Sequence, residues 1–403
     1  MRILVAHNYY GDFATGGEGR SAEADVNVLR EHGHEVVFYK KTNYELLNFN
    51  IWRKIKLPFS IIYSHETYDE VRQIIKEFKP DILHVHNYKY LFTPSIFKAA
   101  KDNGVKTVFT LRNFRLICPC ALLCCNGKVC VECLKGFPFR VLWKRCFPYE
   151  NSLFQRALQL YFYLGTSKKV ANSNKLIDAY IALTPFVKEC FIKAGMSAKK
   201  IYIRPNFMDV PRQIAPESIS DKIGAVYIGR ISSEKGIDFL IDAWQSIDYP
   251  LTIVGTGPLE NEVKKRASSN VVFMGNLSPT ETMGVLARSN FLVFPSVCYE
   301  TFGRTIIEAF SLKVPVIATN LGPRKDLITH DTNGLLFDSL NLEDFKFQVS
   351  RLINNPSLAK RIGEEGNKTF LDNYTPEINY RRLIRIYEDV LNDEVDGIDL
   401  ISK

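Results

Sequence analysis

The most informative stretch of this chain is residues 295–309, Pro-Ser-Val-Cys-Tyr-Glu300-Thr-Phe-Gly-Arg-Thr-Ile-Ile-Glu308-Ala, in which two glutamates flank a Phe-Gly pair. The apolar run at 291–294 predicts a buried strand before it, and the apolar spacing at 306, 307 and 310 predicts a helix. Glu300 then lies on the strand-to-helix loop and Glu308 about a turn inside the helix. A helix N-terminus attracts phosphate, and a carboxylate pair can hold sugar hydroxyls. The stretch therefore predicts a nucleotide-sugar pocket, with a solvated helix face as the alternative.

A second loop, farther upstream, carries two cations. Residues 225–230, Ala-Val-Tyr-Ile-Gly-Arg, indicate a strand that ends in glycine, and Lys235-Gly236 precedes a helical pattern. Arg230 and Lys235 therefore follow the carboxyl end of a strand, which is where open parallel sheets bind ligands. Two fixed cations there can neutralise a departing diphosphate without a metal, although surface cations are more commonly only solvated.

These motifs, with Val254-Gly255-Thr-Gly-Pro258, resemble in order and spacing the donor half of the family 4 retaining glycosyltransferases of GT-B fold, and the resemblance covers nearly the whole chain. It implies an α/β protein with two Rossmann-like, doubly wound parallel-sheet domains and a cleft between them. By it, Arg230 and Lys235 bind the donor diphosphate. Glu300 contacts the transferred sugar, and Glu308 holds the ribose hydroxyls. The other donor-side residues that it implies are Gly255, Gly275, Thr301, Phe302 and Gly303.

The length of 403 residues suggests two or three domains, and a hydrophobic content of 46% supports sizeable cores. Short apolar runs alternate with helical patterns in both halves, which predicts doubly wound parallel sheets. A polar segment at 205–221 with three prolines indicates the linker. We therefore expect an acceptor-side domain at 1–205 and a donor-binding domain at 206–375. The resemblance implies that a last helix, within 376–403, packs back on the first domain.

Charge differs sharply between the two halves. Residues 1–205 carry 31 Lys and Arg against 17 Asp and Glu, a net charge of +14, whereas the rest carries 21 against 27, a net charge of −6. The basic half predicts a negative partner, which could be nucleic acid, an anionic membrane surface or a lipid diphosphate. Two solvated surfaces of different charge are the alternative. No run of 18 apolar residues and no signal peptide is recognisable, so we expect a cytoplasmic protein.

Polar residues in the first half follow predicted strands. Gly16 and Gly17 belong to a glycine-rich loop after the first strand, where a ligand can approach the backbone closely. By the resemblance this loop faces the diphosphate. His86 and Asn87 end a later strand, and we expect His86 to contact a sugar rather than a metal, because no third ligand is near. His84 is expected to be a core residue with satisfied hydrogen bonds.

The next strand is followed by Arg112, Asn113 and Arg115. Members of the resembled family typically carry His at the position of Arg112, beside the transferred sugar, whereas Asn113 and Arg115 keep the family pattern. A guanidinium group does not deprotonate in proteins, so Arg112 cannot be a general base. We expect it to hold a phosphate or to orient the acceptor.

Seven of the nine cysteines lie between positions 118 and 146. Cys130 and Cys133 form a C-x₂-C pair, which could make a structural zinc site with two more of these cysteines. Similar members of the resembled family carry cysteines at all four positions. The four proposed ligands are Cys118, Cys130, Cys133 and Cys146. Free or partly buried thiols are the alternative, and a reducing compartment argues against disulfides. If the four cysteines bind zinc, the thiols outside that site are Cys120, Cys124 and Cys125.

Three segments of the basic half, 52–59, 136–145 and 153–164, place large apolar residues near cations. This mixture favours contact with an anionic membrane surface, and burial of the apolar faces inside the domain is the alternative.

These patterns together predict a hexosyltransferase that moves a sugar, with retention, from a nucleotide diphosphate sugar to a glycan or lipid-linked acceptor in polysaccharide or lipopolysaccharide assembly. We expect it in the cytoplasm, peripheral to the inner face of the membrane, with UDP and GDP both open as the nucleotide. Two other classes stay open: a nucleic-acid-binding protein, although no nucleic-acid partner is expected, and a dinucleotide-dependent oxidoreductase. The oxidoreductase is disfavoured because no complete G-x-G-x-x-G follows the first strand.

Overall fold

The computed structural model describes residues 1–10, 17–144, 146, 152–172, 176–209 and 222–397. Within this part of the chain, two six-stranded parallel sheets each carry their own helices. This arrangement confirms the predicted α/β class with two Rossmann-like sheets.

The first sheet has the strand order β2-β1-β3-β4-β7-β8, and a short antiparallel hairpin, β5–β6, is inserted after β4. Its strands and those of the hairpin are β1 (Arg2–Tyr9), β2 (Glu35–Thr42), β3 (Ile82–Asn87), β4 (Lys106–Thr110), β5 (Cys124–Cys125), β6 (Lys128–Val129), β7 (Ala179–Ala182) and β8 (Ile201–Ile203). The helices of this half are α1 (Gly17–Glu31), α2 (Ile51–Ser60), α3 (His65–Phe78), α4 (Ser95–Asp102), α5 (Leu153–Phe162), α6 (Lys168–Asn172) and α7 (Pro185–Lys193).

The second sheet has the order β11-β10-β9-β12-β13-β14, again with every pair parallel. Its strands are β9 (Ala225–Ile228), β10 (Leu251–Val254), β11 (Val271–Gly275), β12 (Phe291–Phe294), β13 (Val316–Thr319) and β14 (Leu335–Phe337). The helices that follow α7 are α8 (Ile237–Trp244), α9 (Glu260–Arg266), α10 (Pro279–Ala287), α11 (Arg304–Ser311), α12 (Arg324–Leu327), α13 (Leu342–Asn354), α14 (Pro356–Asn373) and α15 (Pro376–Leu391).

The central strands are buried on both faces because helices cover both sides of each sheet. All four residues of β12 are buried, and so are all six of β3, including His84. The His84 ring is hydrogen-bonded on both nitrogens, to the Tyr387 and Thr110 hydroxyls at 2.7 Å each. His84 is therefore a satisfied core residue, as the sequence predicts.

The last helix, α15, packs against the first sheet. Its residues Leu383, Ile386 and Tyr387 share one buried cluster with Ile3 and Val5 of β1. This return brings the end of the described chain beside its beginning. The predicted linker lies mostly outside the described residues, since 210–221 are not among them. None of the described helices is long and apolar enough to cross a bilayer.

Candidate active site

A cleft of about 680 Å³ lies between the two sheets. Its walls come from loops that follow the carboxyl ends of strands in both halves, the usual ligand edge of an open parallel sheet. The first wall includes Gly17, Glu18, Arg112, Asn113, Arg115 and, at the end of β1, His7. The second wall includes Arg230, Lys235, Glu300, Thr301, Phe302 and Gly303. The structure thus brings together predicted residues that are far apart in sequence, such as Arg112 and Glu300, which are 188 positions apart.

Glu300 and Lys235 are the centre of the second wall. Lys235 Nζ lies 2.9 Å from Glu300 Oε2, and the Ser296 hydroxyl donates a hydrogen bond to Glu300 Oε1 at 2.5 Å. Burial by itself would raise the pKa of the Glu300 carboxyl, but Lys235 and Arg324 outweigh it and hold that pKa below its ordinary value. Glu300 is therefore a fixed carboxylate at neutral pH.

Arg230 lies on the same wall and beside a smaller hollow of about 170 Å³ that Lys235 and Glu300 also line. Its guanidinium group is 2.6 Å from Glu234 Oε1, and about half of the side chain is exposed. Glu234 also accepts a hydrogen bond from the Ser232 hydroxyl at 2.7 Å. The loop thus holds Arg230 and Lys235 toward one hollow, which is suited to an anionic group.

The N-terminus of α11 opens at the same place. Gly303 precedes the helix with a φ of 148°, a conformation that favours glycine. Glu308 lies one turn inside, is 8% exposed, and accepts a hydrogen bond from Arg304 Nε at 3.0 Å. Arg304 in turn reaches the first half, where its Nη1 donates to the Ser21 hydroxyl at 3.2 Å. Glu308 is not among the described residues lining the cleft.

Two predicted glycines support the neighbouring loops. Gly255, with a φ of 132°, donates its N–H to the Gly275 carbonyl at 2.7 Å. A Cβ atom at Gly255 would collide with the Gly229 carbonyl, so the close approach of these backbones requires glycine. Neither Gly255 nor Gly275 is among the described residues that line the cleft. Gly16 lies outside the described residues.

Arg112 lines the cleft, but its guanidinium group is held by residues of the first half and of the segment after β8. Its side chain is 3% exposed, and its guanidinium nitrogens lie 2.8 and 3.1 Å from His86 Nδ1 and 3.5 Å from Asp25 Oδ2. Nη1 also donates to Asn206 Oδ1, at 2.5 Å. Arg204 pairs with the same Asp25 carboxylate. This network ties the end of β4 to the segment that follows β8.

His86 and Asn87 lie below the cleft surface. His86 is 1% exposed, and burial holds its pKa well below the ordinary value, so the ring is neutral. Asn87 donates to the Asn8 carbonyl at 2.7 Å. Neither is among the described residues lining the cleft, whereas Asn113 and Arg115 are. The Arg115 guanidinium donates to the Tyr10 hydroxyl at 2.9 Å.

Arg324 is a residue of this site that the sequence patterns did not reveal. It is fully buried in α12, and its guanidinium group donates to the carbonyls of Ser296, Cys298 and Thr319 at 3.0 to 3.3 Å. These bonds hold the loop that carries Glu300. Burial lowers the pKa of Arg324 to about 10, which still leaves it charged at neutral pH. The only sequence signal at this position is the preceding Gly322-Pro323 pair, which indicates a turn but no role for Arg324.

The cysteine predictions need two corrections. Cys124 of the hairpin and Cys298 of the second wall form a disulfide between the two halves, with Cα atoms 5.7 Å apart; Cys124 is therefore not an extra thiol. The described residues, which include all four proposed zinc ligands, contain no group of three or more His, Cys, Asp or Glu side chains that could hold a metal. Instead, Cys118 Sγ lies 3.2 Å from Cys120 Sγ. The residues do not fit a Cys₄ zinc site.

Known proteins resemble both halves. A family profile described as Glycosyltransferase Family 4 matches residues 15–212, and one described as Glycosyl transferases group 1 matches 210–369. An uncharacterized glycosyltransferase of Methanocaldococcus jannaschii is 34% identical over 169 residues, 41% of this chain and 48% of that protein. The O-antigen chain mannosyltransferase C of Escherichia coli is 28% identical over 184 residues, 44% and 49% of the two chains. These matches span about half the length of each relative.

Solved structures resemble the whole fold. The crystal structure of Anabaena HepE in complex with UDP superposes with a TM-score of 0.66 at 16% identity, over 96% of this chain and 100% of that one. At this identity the likeness establishes the fold alone, and that fold agrees with the two parallel sheets and the cleft between them. The adjoining family matches and the shared architecture together identify this chain as a member of glycosyltransferase family 4, with the GT-B fold.

Proposed function

We propose that this protein transfers a sugar from a nucleotide diphosphate sugar to a glycan or lipid-linked acceptor, with retention of configuration, in surface polysaccharide or lipopolysaccharide assembly. The observation that carries the proposal is the contact between Lys235 and Glu300, at 2.9 Å, on a cleft wall that also holds Arg230 and the start of α11. This wall combines groups that suit a diphosphate with a carboxylate that suits a sugar.

The chemistry follows from where charge develops. As the bond between sugar and phosphate breaks, negative charge grows on the diphosphate, and Arg230, Lys235 and the N–H groups at the start of α11 can stabilise it. Positive charge grows on the sugar ring, and Glu300 orients that ring. Glu308, paired with Arg304, is our candidate for the ribose hydroxyls. Closure of the two halves would exclude water from the reacting groups.

The names of the relatives support the choice of substrate class. The Escherichia coli relative is named as an O-antigen chain mannosyltransferase, and the Anabaena structure contains UDP. UDP, and GDP as the other nucleotide that the sequence leaves open, are the two to test first.

We also infer that the first half contacts an anionic membrane surface. Four large apolar side chains on α2, on α5 and on the segment between β6 and α5 are at least 70% exposed: Trp52, Phe59, Trp143 and Phe154. These elements belong to the half with a net charge of +14, and basic surfaces with exposed aromatic residues favour anionic headgroups. Co-sedimentation with phosphatidylglycerol vesicles, but not with phosphatidylcholine vesicles, would support this inference. Binding to neither kind of vesicle, or equal binding to both, would refute it.

The decisive experiment is nucleotide binding. UDP or GDP should raise the melting temperature of the wild-type protein, because a ligand that binds only the folded state stabilises it. Lys235→Ala should abolish that shift. Lys264→Ala is the matched control, because this lysine pairs with Glu260 on α9, in the same half but outside the cleft lining. Absence of any shift with both nucleotides would overturn the proposal.

A further inference from the structure

Two buried polar atoms on the first wall of the cleft lack hydrogen-bond partners. They are Oε2 of Glu18 and Nδ1 of His7, and both residues line the cleft. His7 is only 2% exposed. Buried polar atoms in native proteins are nearly always satisfied, and exceptions commonly mark a place where a ligand or water supplies the missing bond.

The position of Glu18 is set by the chain itself. It is the second residue of α1, where a carboxylate is favourable near the helix N-terminus. Its other oxygen, Oε1, accepts a hydrogen bond from Asn113 Nδ2 at 3.2 Å. Asn113 therefore orients the carboxylate and leaves Oε2 without a hydrogen-bond partner.

The unsatisfied oxygen selects the chemistry of its ligand. A carboxylate oxygen accepts hydrogen bonds and repels anions, so a phosphate is disfavoured beside Glu18. Arg230 and Lys235 of the second wall lie around one hollow and suit the diphosphate. A neutral hydroxyl group on the side of the first wall can donate a hydrogen bond to Oε2, so a hydroxyl is the ligand that this oxygen suits.

We propose that Glu18 binds the attacking hydroxyl group of the acceptor, whose O–H donates to the unsatisfied Oε2 atom. As the glycosidic bond to the acceptor oxygen forms and the bond between sugar and phosphate breaks, the hydroxyl proton passes to Oε2 and the nucleoside diphosphate leaves. This inference rests on the proposed function, since it names the acceptor side of that same site. The ligand class is a neutral sugar hydroxyl, and a water molecule takes its place when the donor is hydrolysed without an acceptor.

The first test is hydrolysis of UDP-glucose, UDP-N-acetylglucosamine and GDP-mannose by the wild type, Glu18→Gln and Glu18→Asp. We expect Glu18→Gln to lower kcat about 10-fold or more, with the donor KM and the UDP-induced melting shift unchanged. Glu18→Asp should restore part of kcat. Glu23→Gln is the control on the same helix, because its carboxylate accepts from the Tyr9 hydroxyl at 2.7 Å and Glu23 is not among the described residues lining the cleft.

The pH profile separates this role from a merely structural one. Burial raises the pKa of Glu18, although Asn113, Arg115 and Arg112 oppose it. The wild-type kcat should therefore fall on the acid side as Glu18 gains a proton, and the residual activity of Glu18→Gln should lack that limb. An unchanged acid limb in Glu18→Gln, or unchanged kcat at neutral pH, would overturn the inference.

Saturation-transfer NMR gives a readout that does not depend on turnover. With UDP present, the probes are methyl α-glucoside, methyl α-mannoside and glucuronate. We expect the wild type to transfer saturation to the neutral glycosides and Glu18→Ala to lose that transfer while still binding UDP. Equal transfer in both proteins, or preference for glucuronate, would refute the role of Glu18. A protein that binds neither UDP nor GDP would instead refute the donor assignment.

Discussion

The ammonium group of Lys235 lies 2.9 Å from the Glu300 carboxylate, so the two residues neutralise each other across the second wall of the cleft. A diphosphate that binds Lys235 must compete with this carboxylate. On the proposed function, the pair would therefore couple binding of the leaving group to the position of Glu300.

Replacement of Glu300 by Gln should separate these two roles. We expect UDP to bind equally well or a few-fold more tightly, because Lys235 no longer has a competing anion. Sugar-nucleotide turnover should fall at least about 10-fold, because the charge that orients the sugar is lost. Calorimetry with UDP and kinetics with the nucleotide-sugar panel measure the two effects. Glu262→Gln, on exposed α9, is the control, and weaker UDP binding in Glu300→Gln would contradict the prediction.

Arg324 should be essential for the loop that carries Glu300. Arg324→Leu leaves the carbonyls of Ser296, Cys298 and Thr319 without their donor. We expect a loss of about 2–5 kcal/mol in the free energy of unfolding, since each buried carbonyl left unsatisfied is costly. Urea denaturation measures this loss. Lys325→Leu, at the exposed next position, should change stability little, and equal effects of the two substitutions would refute the assignment.

The disulfide between Cys124 and Cys298 should restrain the two halves. Cys298→Ser removes a cross-link between residues 174 positions apart, which we expect to cost about 2–5 kcal/mol. Small-angle X-ray scattering should then show a larger radius of gyration, as it should for the wild type with dithiothreitol. Cys130→Ser, which replaces a free thiol, is the control. Identical scattering with and without dithiothreitol would argue against a restraint on the cleft.

Acid should destabilise the protein below about pH 6.5, the ordinary pKa of histidine. Burial lowers the pKa of His7 and of His84 to about 3, and that of His86 well below its usual value. Between these pKa values the unfolded chain binds more protons than the folded one, so stability falls as pH falls. Each histidine adds up to about 1.4 kcal/mol per pH unit. His84→Gln should reduce the slope of unfolding free energy against pH, and an unchanged slope would contradict the prediction.

Local sequence patterns were sufficient wherever the structure depends on nearby residues. The apolar run before residue 295 and the spacing after Gly303 place β12 and α11 correctly, with Glu300 on the loop between them. The same reasoning places Arg230 and Lys235 after β9. Strand and helix periodicity are local properties, and parallel sheets collect loop residues at one edge because their strands point the same way.

Local sequence patterns could not predict the contacts between segments that are distant in sequence. His86 ends a buried strand just as His7 does, yet only His7 is among the described residues lining the cleft. Arg112 lines the cleft, but the sequence did not show that Asp25, His86 and Asn206 hold its guanidinium group. The cysteine spacing left Cys124 as an extra thiol beside a possible zinc site, whereas Cys124 is linked to Cys298.

The order of strands, helices and charged loops was thus determined by the sequence alone, because each depends on residues a few positions apart. The partners of Arg324, Arg112, Glu18 and Cys124 were decided only in the tertiary structure. Each of these side chains meets groups that are far away along the chain, and which groups come close depends on how the two sheets face each other across the cleft.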